Sequence, residues 1–420
     1  MKSSKVLIFF LIAMFLTGCG GKSSGGSSGG GSGGSTGGGG GGSPANVGNV
    51  LPITVNGSLC SATTSAGYLN KPCVSVTVCN PGTSTCQTID DILLDTGSFG
   101  LRIFKSALSP AISLTQVASG SNSLAECAQF GDGSSLWGPV QLAGVTLASE
   151  PTVTVPIQVI DSTFATIATS STSTICPGAD QSPAAAGFNG ILGVGVFSQD
   201  CGSICSDHAG NGRYFSCTVS ACTGTRAPLD SQVQNPVALL PQDNNGVIVE
   251  LPGVPSSGAS SVDGSLILGI GSQANNALSG VTTYDTNEFG EIITTISGTT
   301  PSTYNSFIDS GSNAFFFNPP SALTPQLPDC GSTYPGWFCP SSIVSISATN
   351  AGASGSSNGG VSFEIGNFTS LINSNNKVFS NIGANPPNAS GNFDWGLPFF
   401  FGRRVYVGIE GKASVPYWAY

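Results

Sequence analysis

The feature that most constrains this chain is a short pattern that occurs twice. Ile92-Leu93-Leu94-Asp95-Thr96-Gly97-Ser98 carries an aspartate from an apolar run straight into a tight turn, and Ser306-Phe307-Ile308-Asp309-Ser310-Gly311-Ser312 repeats the plan 214 residues later. In each copy the glycine can take backbone conformations closed to other residues, and the hydroxyls of Thr96, Ser98, Ser310 and Ser312 can donate hydrogen bonds that orient an acid. Two such turns imply two similar halves. If the halves face each other, Asp95 and Asp309 meet. Two carboxyl groups a hydrogen bond apart share a proton, so that one serves as base and the other as acid.

More of the chain falls into the same scheme. Ile191-Leu192-Gly193, inside Phe188-Asn189-Gly190-Ile191-Leu192-Gly193-Val194-Gly195, begins 96 residues after Asp95, and Phe400-Phe401-Gly402 begins 91 after Asp309. Near-equal offsets are what an internal duplication leaves. Phe130-Gly131-Asp132-Gly133-Ser134 has the makings of a hairpin tip, and Gly264-Ser265-Leu266-Ile267-Leu268-Gly269 those of a strand. In this order the segments resemble the pepsin-like aspartic proteinases, over most of residues 46–420.

The resemblance implies an all-β, bilobed fold with two pseudo-symmetric β lobes and a cleft between them. It makes Asp95 and Asp309 the catalytic pair, supported by Thr96, Gly97, Ser98, Ser310, Gly311 and Ser312. Phe130, Gly131, Asp132 and Gly133 become the flap over the cleft, and the two apolar-apolar-Gly segments thread beneath the loops. An extended polypeptide is the implied substrate, with no cofactor and no metal. Three positions depart from the family pattern. Phe130 stands where a tyrosine is usual, and Arg102 stands where a tryptophan is usual, so Arg102 is expected to lie on the Phe130 ring as a cation–π pair. Arg403 follows the second glycine segment where an acid is common, and near the pair it would lower the apparent pKa. Asn235-Pro236-Val237-Ala238-Leu239 and Pro241-Gln242-Asp243-Asn244-Asn245-Gly246 also resemble a bacterial family of exported, lipoprotein-like proteins that implies no activity.

The N-terminus reads as an export signal. Lys2 and Lys5 precede an eleven-residue apolar run, Val6 to Leu16, too short for a stable membrane span. Leu16-Thr17-Gly18-Cys19 resembles a bacterial lipoprotein cleavage box, which would leave lipid on Cys19 and attach the protein to the envelope, at the outer membrane or cell surface. Residues 20–43 are fifteen Gly, seven Ser, one Lys and one Thr, a flexible tether. The expected organisation is therefore a signal peptide at 1–18, a lipid-anchored linker at 19–45, a first lobe with flap and Cys-rich insertion at 46–255, and a second lobe at 256–420.

Within the lobes, alternations such as Val74-Ser75-Val76-Thr77-Val78 and Val153-Thr154-Val155-Pro156-Ile157 predict strands. Short helices are expected near 106–111 and 236–240. Asn80-Pro81-Gly82-Thr83, Asp132-Gly133, Asp263-Gly264 and Asp394-Trp395-Gly396 read as turns. Only 8% of residues are charged, and loss of Lys2 and Lys5 takes the net charge from −10 to −12. That balance argues against nucleic acid as a partner and predicts tolerance of mildly acidic media. A monomer is expected.

Thirteen cysteines become twelve once Cys19 is assigned to lipid, an even number that predicts up to six disulfides in an exported protein. Cys79–Cys86 and Cys330–Cys339 are local candidates. Cys201, Cys205, Cys217 and Cys222, around His208, have spacings that allow zinc, with disulfides favoured. His208 is the only histidine and lies far from any nucleophile pattern, which removes Ser-His and Cys-His hydrolases. Two functions remain: an exported, membrane-tethered aspartic endopeptidase, or a catalytically silent surface protein that binds a protein or glycan in the same cleft.

Overall fold

A computed structural model describes residues 48–65, 67–166, 175–297, 303–385, 391–412 and 415–420. The expected signal peptide, Cys19 and the Gly/Ser stretch lie outside the described residues. Strand outweighs helix by 41% to 9%, so the chain is all-β. This follows from apolar runs that are short, β-branched and interrupted by Gly, Pro and Asn.

Six strands frame the two Asp turns. In the first half β1 (Cys86–Asp95) leads through the turn into β2 (Phe99–Phe104), and β3 (Gly190–Val194) lies between them, parallel to β1 and antiparallel to β2. In the second half β4 (Thr303–Ile308), β5 (Phe315–Phe317) and β6 (Asn392–Trp395) repeat that arrangement, with β6 parallel to β4 and antiparallel to β5. The first triplet closes into a six-stranded barrel with Pro72–Cys79, Ser135–Thr146 and Val153–Ile160. The second stays open, in a seven-stranded sheet.

A third layer joins the halves. Val50–Val55 pairs with Val262–Leu268, which pairs with Gly246–Leu251, which pairs with Arg403–Gly408. The expected break near 252–258 is an irregular connection, yet the strands on either side of it lie next to each other in one sheet. The largest apolar cluster runs through both halves, from Ile53 and Leu94 to Phe393 and Trp395.

The sequence expectations meet this structure unevenly. The two helices expected near 106–111 and 236–240 are single 3-10 turns, Lys105–Ala107 and Pro236–Leu239. Asn80–Thr83 turns, with Thr83 N–H donating to the Asn80 carbonyl at 3.1 Å. Asp263-Gly264 does not: both residues pair across a strand with Thr54 and Ile53, where a side chain on Gly264 would strike the Glu250 carbonyl. Six disulfides form: Cys60–Cys73, Cys79–Cys86, Cys127–Cys176, Cys201–Cys205, Cys217–Cys222 and Cys330–Cys339. The four cysteines near His208 are thus bonded in pairs rather than available to zinc, and His208 is exposed after a short helix, Ser203–Asp207.

Candidate active site

Each turn grips its own aspartate in the same way. Gly97 N–H donates to Asp95 Oδ1 at 2.8 Å and Ser98 Oγ to Oδ2 at 2.5 Å; Gly311 N–H donates to Asp309 Oδ1 at 2.7 Å and Ser312 Oγ to Oδ2 at 2.9 Å. Thr96 and Ser310 do something the sequence did not reveal. Their hydroxyls cross to the opposite loop instead of reaching the carboxylates: Thr96 Oγ1 donates to the Ile308 carbonyl at 2.7 Å, and Ser310 Oγ to the Leu94 carbonyl at 2.8 Å. Each also accepts from the other's backbone N–H. The two turns are thereby locked together about an approximate two-fold axis.

The glycines explain why the carboxyls meet. A Cβ placed on Gly97 would lie 2.5 Å from Asp309 Cγ, and one on Gly311 would lie 2.8 Å from Asp95 Cγ. Each acid rests against the bare backbone of the other turn, an approach no larger residue allows. Asp95 and Asp309 are both fully buried.

Electrostatics separate the two acids. Burial raises the Asp95 carboxyl, while its hydrogen bonds from Ser98, Asp309 and Gly97 and the charge of Arg102 pull it back. Asp309 is held well above the usual carboxylate range by burial, then by Asp95 and Asp394. Burial raises both carboxyls, and so close a pair titrates as a unit that shares a proton.

Asn122–Gln129 and Ser135–Thr146 form a hairpin whose tip closes through Phe130 N–H to the Ser134 carbonyl at 3.0 Å. Phe130 is buried in an apolar cluster with Tyr68, Leu93, Phe104, Phe188 and Ile191. Gly131, Asp132 and Gly133 make the turn itself, and Ser134 N–H caps Asp132 at 2.8 Å. Tyr68 connects this hairpin to the acids. Its phenol is raised well above the ordinary value by burial and then by Asp132, Asp95 and Asp309. The next residues cross between halves: Leu69 packs with Phe316, Trp337 and Phe379, and Asn70 donates to the Asn313 and Phe379 carbonyls at 2.7 and 2.8 Å.

A family model described as a protein of unknown function, DUF3443, matches residues 45–420. The chain belongs to the DUF3443 family. No curated protein matches it.

In this DUF3443 protein three sequence expectations need correction. Arg102 does not lie on Phe130. Its Nη2 meets Glu126 Oε1 at 2.7 Å and Asp200 Oδ2 at 3.0 Å, in a buried cluster completed by Tyr214, whose hydroxyl donates to Asp200 at 2.5 Å. Two carboxylates outcompete an aromatic face for a buried guanidinium. Burial works against the charged Arg102, but Glu126 and Asp200 more than compensate and hold its proton tightly. Arg403 is not what tunes the pair: it stacks 4.6 Å from the Phe399 ring and donates to the Phe399 carbonyl at 2.7 Å, whereas the cation bearing on Asp95 is Arg102.

The third correction concerns the strand under the second turn. Ile191 and Leu192 lie opposite Leu93 and Leu94, with Gly193 beside Asp95. In the second half Phe307 and Ile308 lie opposite Asp394 and Trp395, which brings Gly396 beside Asp309. The threaded segment is therefore Asp394-Trp395-Gly396, in a strand rather than a turn. Phe400-Phe401-Gly402 packs elsewhere, with Gly402 N–H donating to the Leu251 carbonyl at 3.0 Å. Asp394, Glu126, Asp200 and Tyr68 are the neighbours of the site that sequence reasoning missed. The available signal was a lone charge inside an apolar strand, as in Leu124-Ala125-Glu126-Cys127-Ala128.

Proposed function

We propose that this protein is an aspartic endopeptidase on a pepsin-like, bilobed scaffold, exported and tethered to the membrane through lipid on Cys19. The single observation that carries the reading is the contact of each loop acid with the glycine of the opposite loop, which sets two buried carboxyls face to face. Of the pair Asp95 and Asp309, the ionised member, as base, takes a proton from water; the oxygen of that water attacks the peptide carbonyl; the protonated member, as acid, gives its proton to the developing oxyanion. The substrate is an extended polypeptide beneath the 122–146 hairpin. Six disulfides suit an exported protein.

A second reading, a silent module that binds a protein or glycan, is favoured by one feature: neither acid is exposed. Digestion of unfolded casein from about pH 3 to 7, with and without pepstatin, decides between them. Wild-type protein should cleave, and Asp95→Asn and Asp309→Asn should each lose at least about 100-fold in rate. Cys19→Ser should move that activity to the soluble fraction. A folded wild type that cleaves nothing at any pH would leave the binding module.

A further inference from the structure

One buried ion pair belongs neither to the loop acids nor to the Arg102 cluster. Lys71 and Asp91 are 0% and 1% exposed, and Lys71 Nζ lies 2.5 Å from Asp91 Oδ1. The chain gives up regular pairing to make this contact. Where Pro72–Cys79 pairs with β1, Val74 faces Ile92 and Val76 faces Ile89, so Asp90 and Asp91 together oppose Ser75. This bulge, with Asp91 in the left-handed region at φ 62°, leaves Asp90 exposed and turns Asp91 inward. Both charges are costly to bury, and a neutral amide in their place would not be.

The contacts around the pair suit the formation of that amide. Ser61 N–H donates to Asp91 Oδ1 at 2.9 Å. The Thr64 hydroxyl donates to Asp91 Oδ2 and accepts from Lys71 Nζ at 3.2 Å, so it touches both the amine and the second carboxyl oxygen. Ser65 Oγ also accepts from Nζ, at 3.1 Å. The Cys60–Cys73 disulfide and the Tyr68 ring flank the pair: Cys73 Sγ lies 3.7 Å from Oδ1, and the ring centroid 5.7 Å from Nζ. Burial lowers the Lys71 amine from its ordinary range against the opposing pull of Asp91, which favours a free lone pair on nitrogen.

We infer that Lys71 and Asp91 condense into an intramolecular amide, a cross-link made by the folded chain itself. A proton passes from Nζ through the Thr64 hydroxyl to Oδ2, leaving an amine and a carboxylic acid. The Nζ lone pair adds to Cγ, and Ser61 N–H holds the charge that develops on Oδ1. A second proton follows the same route to Oδ2, the Cγ–Oδ2 bond breaks, and one water leaves; the last hydrogen stays on Nζ as the amide N–H. The bond joins residues 20 apart and anchors the segment whose Asn70 reaches the Asn313 and Phe379 carbonyls of the second half. It does not depend on the peptidase reading.

Mass spectrometry of the exported protein, with its disulfides reduced, tests this. Lys71→Arg keeps the positive charge but offers no amine that condenses, and so sets the unlinked mass. After allowance for the substitution, wild type should be lighter than that variant by one water. A thermolysin digest of wild type should contain a branched peptide that carries both Lys71 and Asp91, a readout that stands even where Lys71→Arg fails to fold. Thr64→Val should accumulate the unlinked form. Separate, unbranched Lys71 and Asp91 peptides from wild type overturn the inference, as does a missing water that the digest places elsewhere, such as a cyclised Asp132-Gly133. Linkage as complete in Thr64→Val as in wild type overturns the relay through the hydroxyl.

Discussion

Seven residues beyond the loop aspartate, the first half places Arg102 and the second places Phe316; at the centre of the inserted strand the first half places Ile191 and the second Asp394. The pairs Arg102–Ile191 and Phe316–Asp394 sit at matching register positions. Charge and apolar side chain have thus changed places between the halves, and changed sign. The turns themselves barely differ, because their hydrogen bonds and glycine contacts admit few substitutions. The side chains behind them are free to differ, and they put a cation behind Asp95 and an acid behind Asp309. Two acids in near-identical grips are in this way given unlike surroundings.

That comparison can be broken or sharpened by measurement. The largest effect belongs to the first half: Arg102→Met strands Glu126 and Asp200 in the interior and should cost about 3 to 5 kcal/mol in a denaturant titration. Adding Glu126→Gln and Asp200→Asn should recover much of it. A cost below about 1 kcal/mol would mean the buried cluster contributes little beyond what a surface pair does. Next come the turns, where the halves should behave alike. Gly97→Ala and Gly311→Ala each push a methyl into the opposite acid, and both should lower stability by about 1 to 3 kcal/mol and abolish the proposed hydrolysis. Tolerance of one and not the other would show that the two grips are not equivalent.

The smallest and broadest effect is on pH dependence. Asp309 and Asp394 are raised well above ordinary values, burial being the first cause in each, and Asp180 is pushed up to about 6 by burial and Asp132. A carboxyl raised in the folded state binds its proton more tightly there than in the unfolded chain. Its stabilisation is complete below the unfolded value of about 4 and is lost as pH rises through the folded value. For Asp180 that window runs from about 4 to about 6, and for the others it extends higher. Thermal midpoints should thus be several degrees higher near pH 4.5 than near pH 7.5. Asp161, lowered overall because Lys105 and Thr163 outweigh its burial, opposes the trend only weakly, since Lys105 is largely exposed. A midpoint that falls on acidification contradicts the assignment.

How far all this could be read from residues alone depended on the range of the interaction. The Asp turns were legible because acid, glycine and hydroxyl lie within four residues, and the cysteine count was legible because it is a count. The β6 strand was not. Gly193 follows Asp95 by 98 residues and Gly396 follows Asp309 by 87, so equal spacing pointed past the true segment to Phe400-Phe401-Gly402. A four-residue parallel strand carries no periodicity of its own, and Asp-x-Gly looks like a turn until a partner strand is known. Arg102 was misread for a related reason: its partners Glu126 and Asp200 lie 24 and 98 residues away, whereas the aromatic residue suggested for it came from a family pattern.

The layer shared by the halves has a mechanical consequence. Because Val50–Val55 is stitched to Val262–Leu268, and Arg403–Gly408 to Gly246–Leu251, a nick in the loop at 252–261 would not free two independent bodies. Any rocking of one half against the other must flex this woven floor as a spring, rather than swing on a slack hinge.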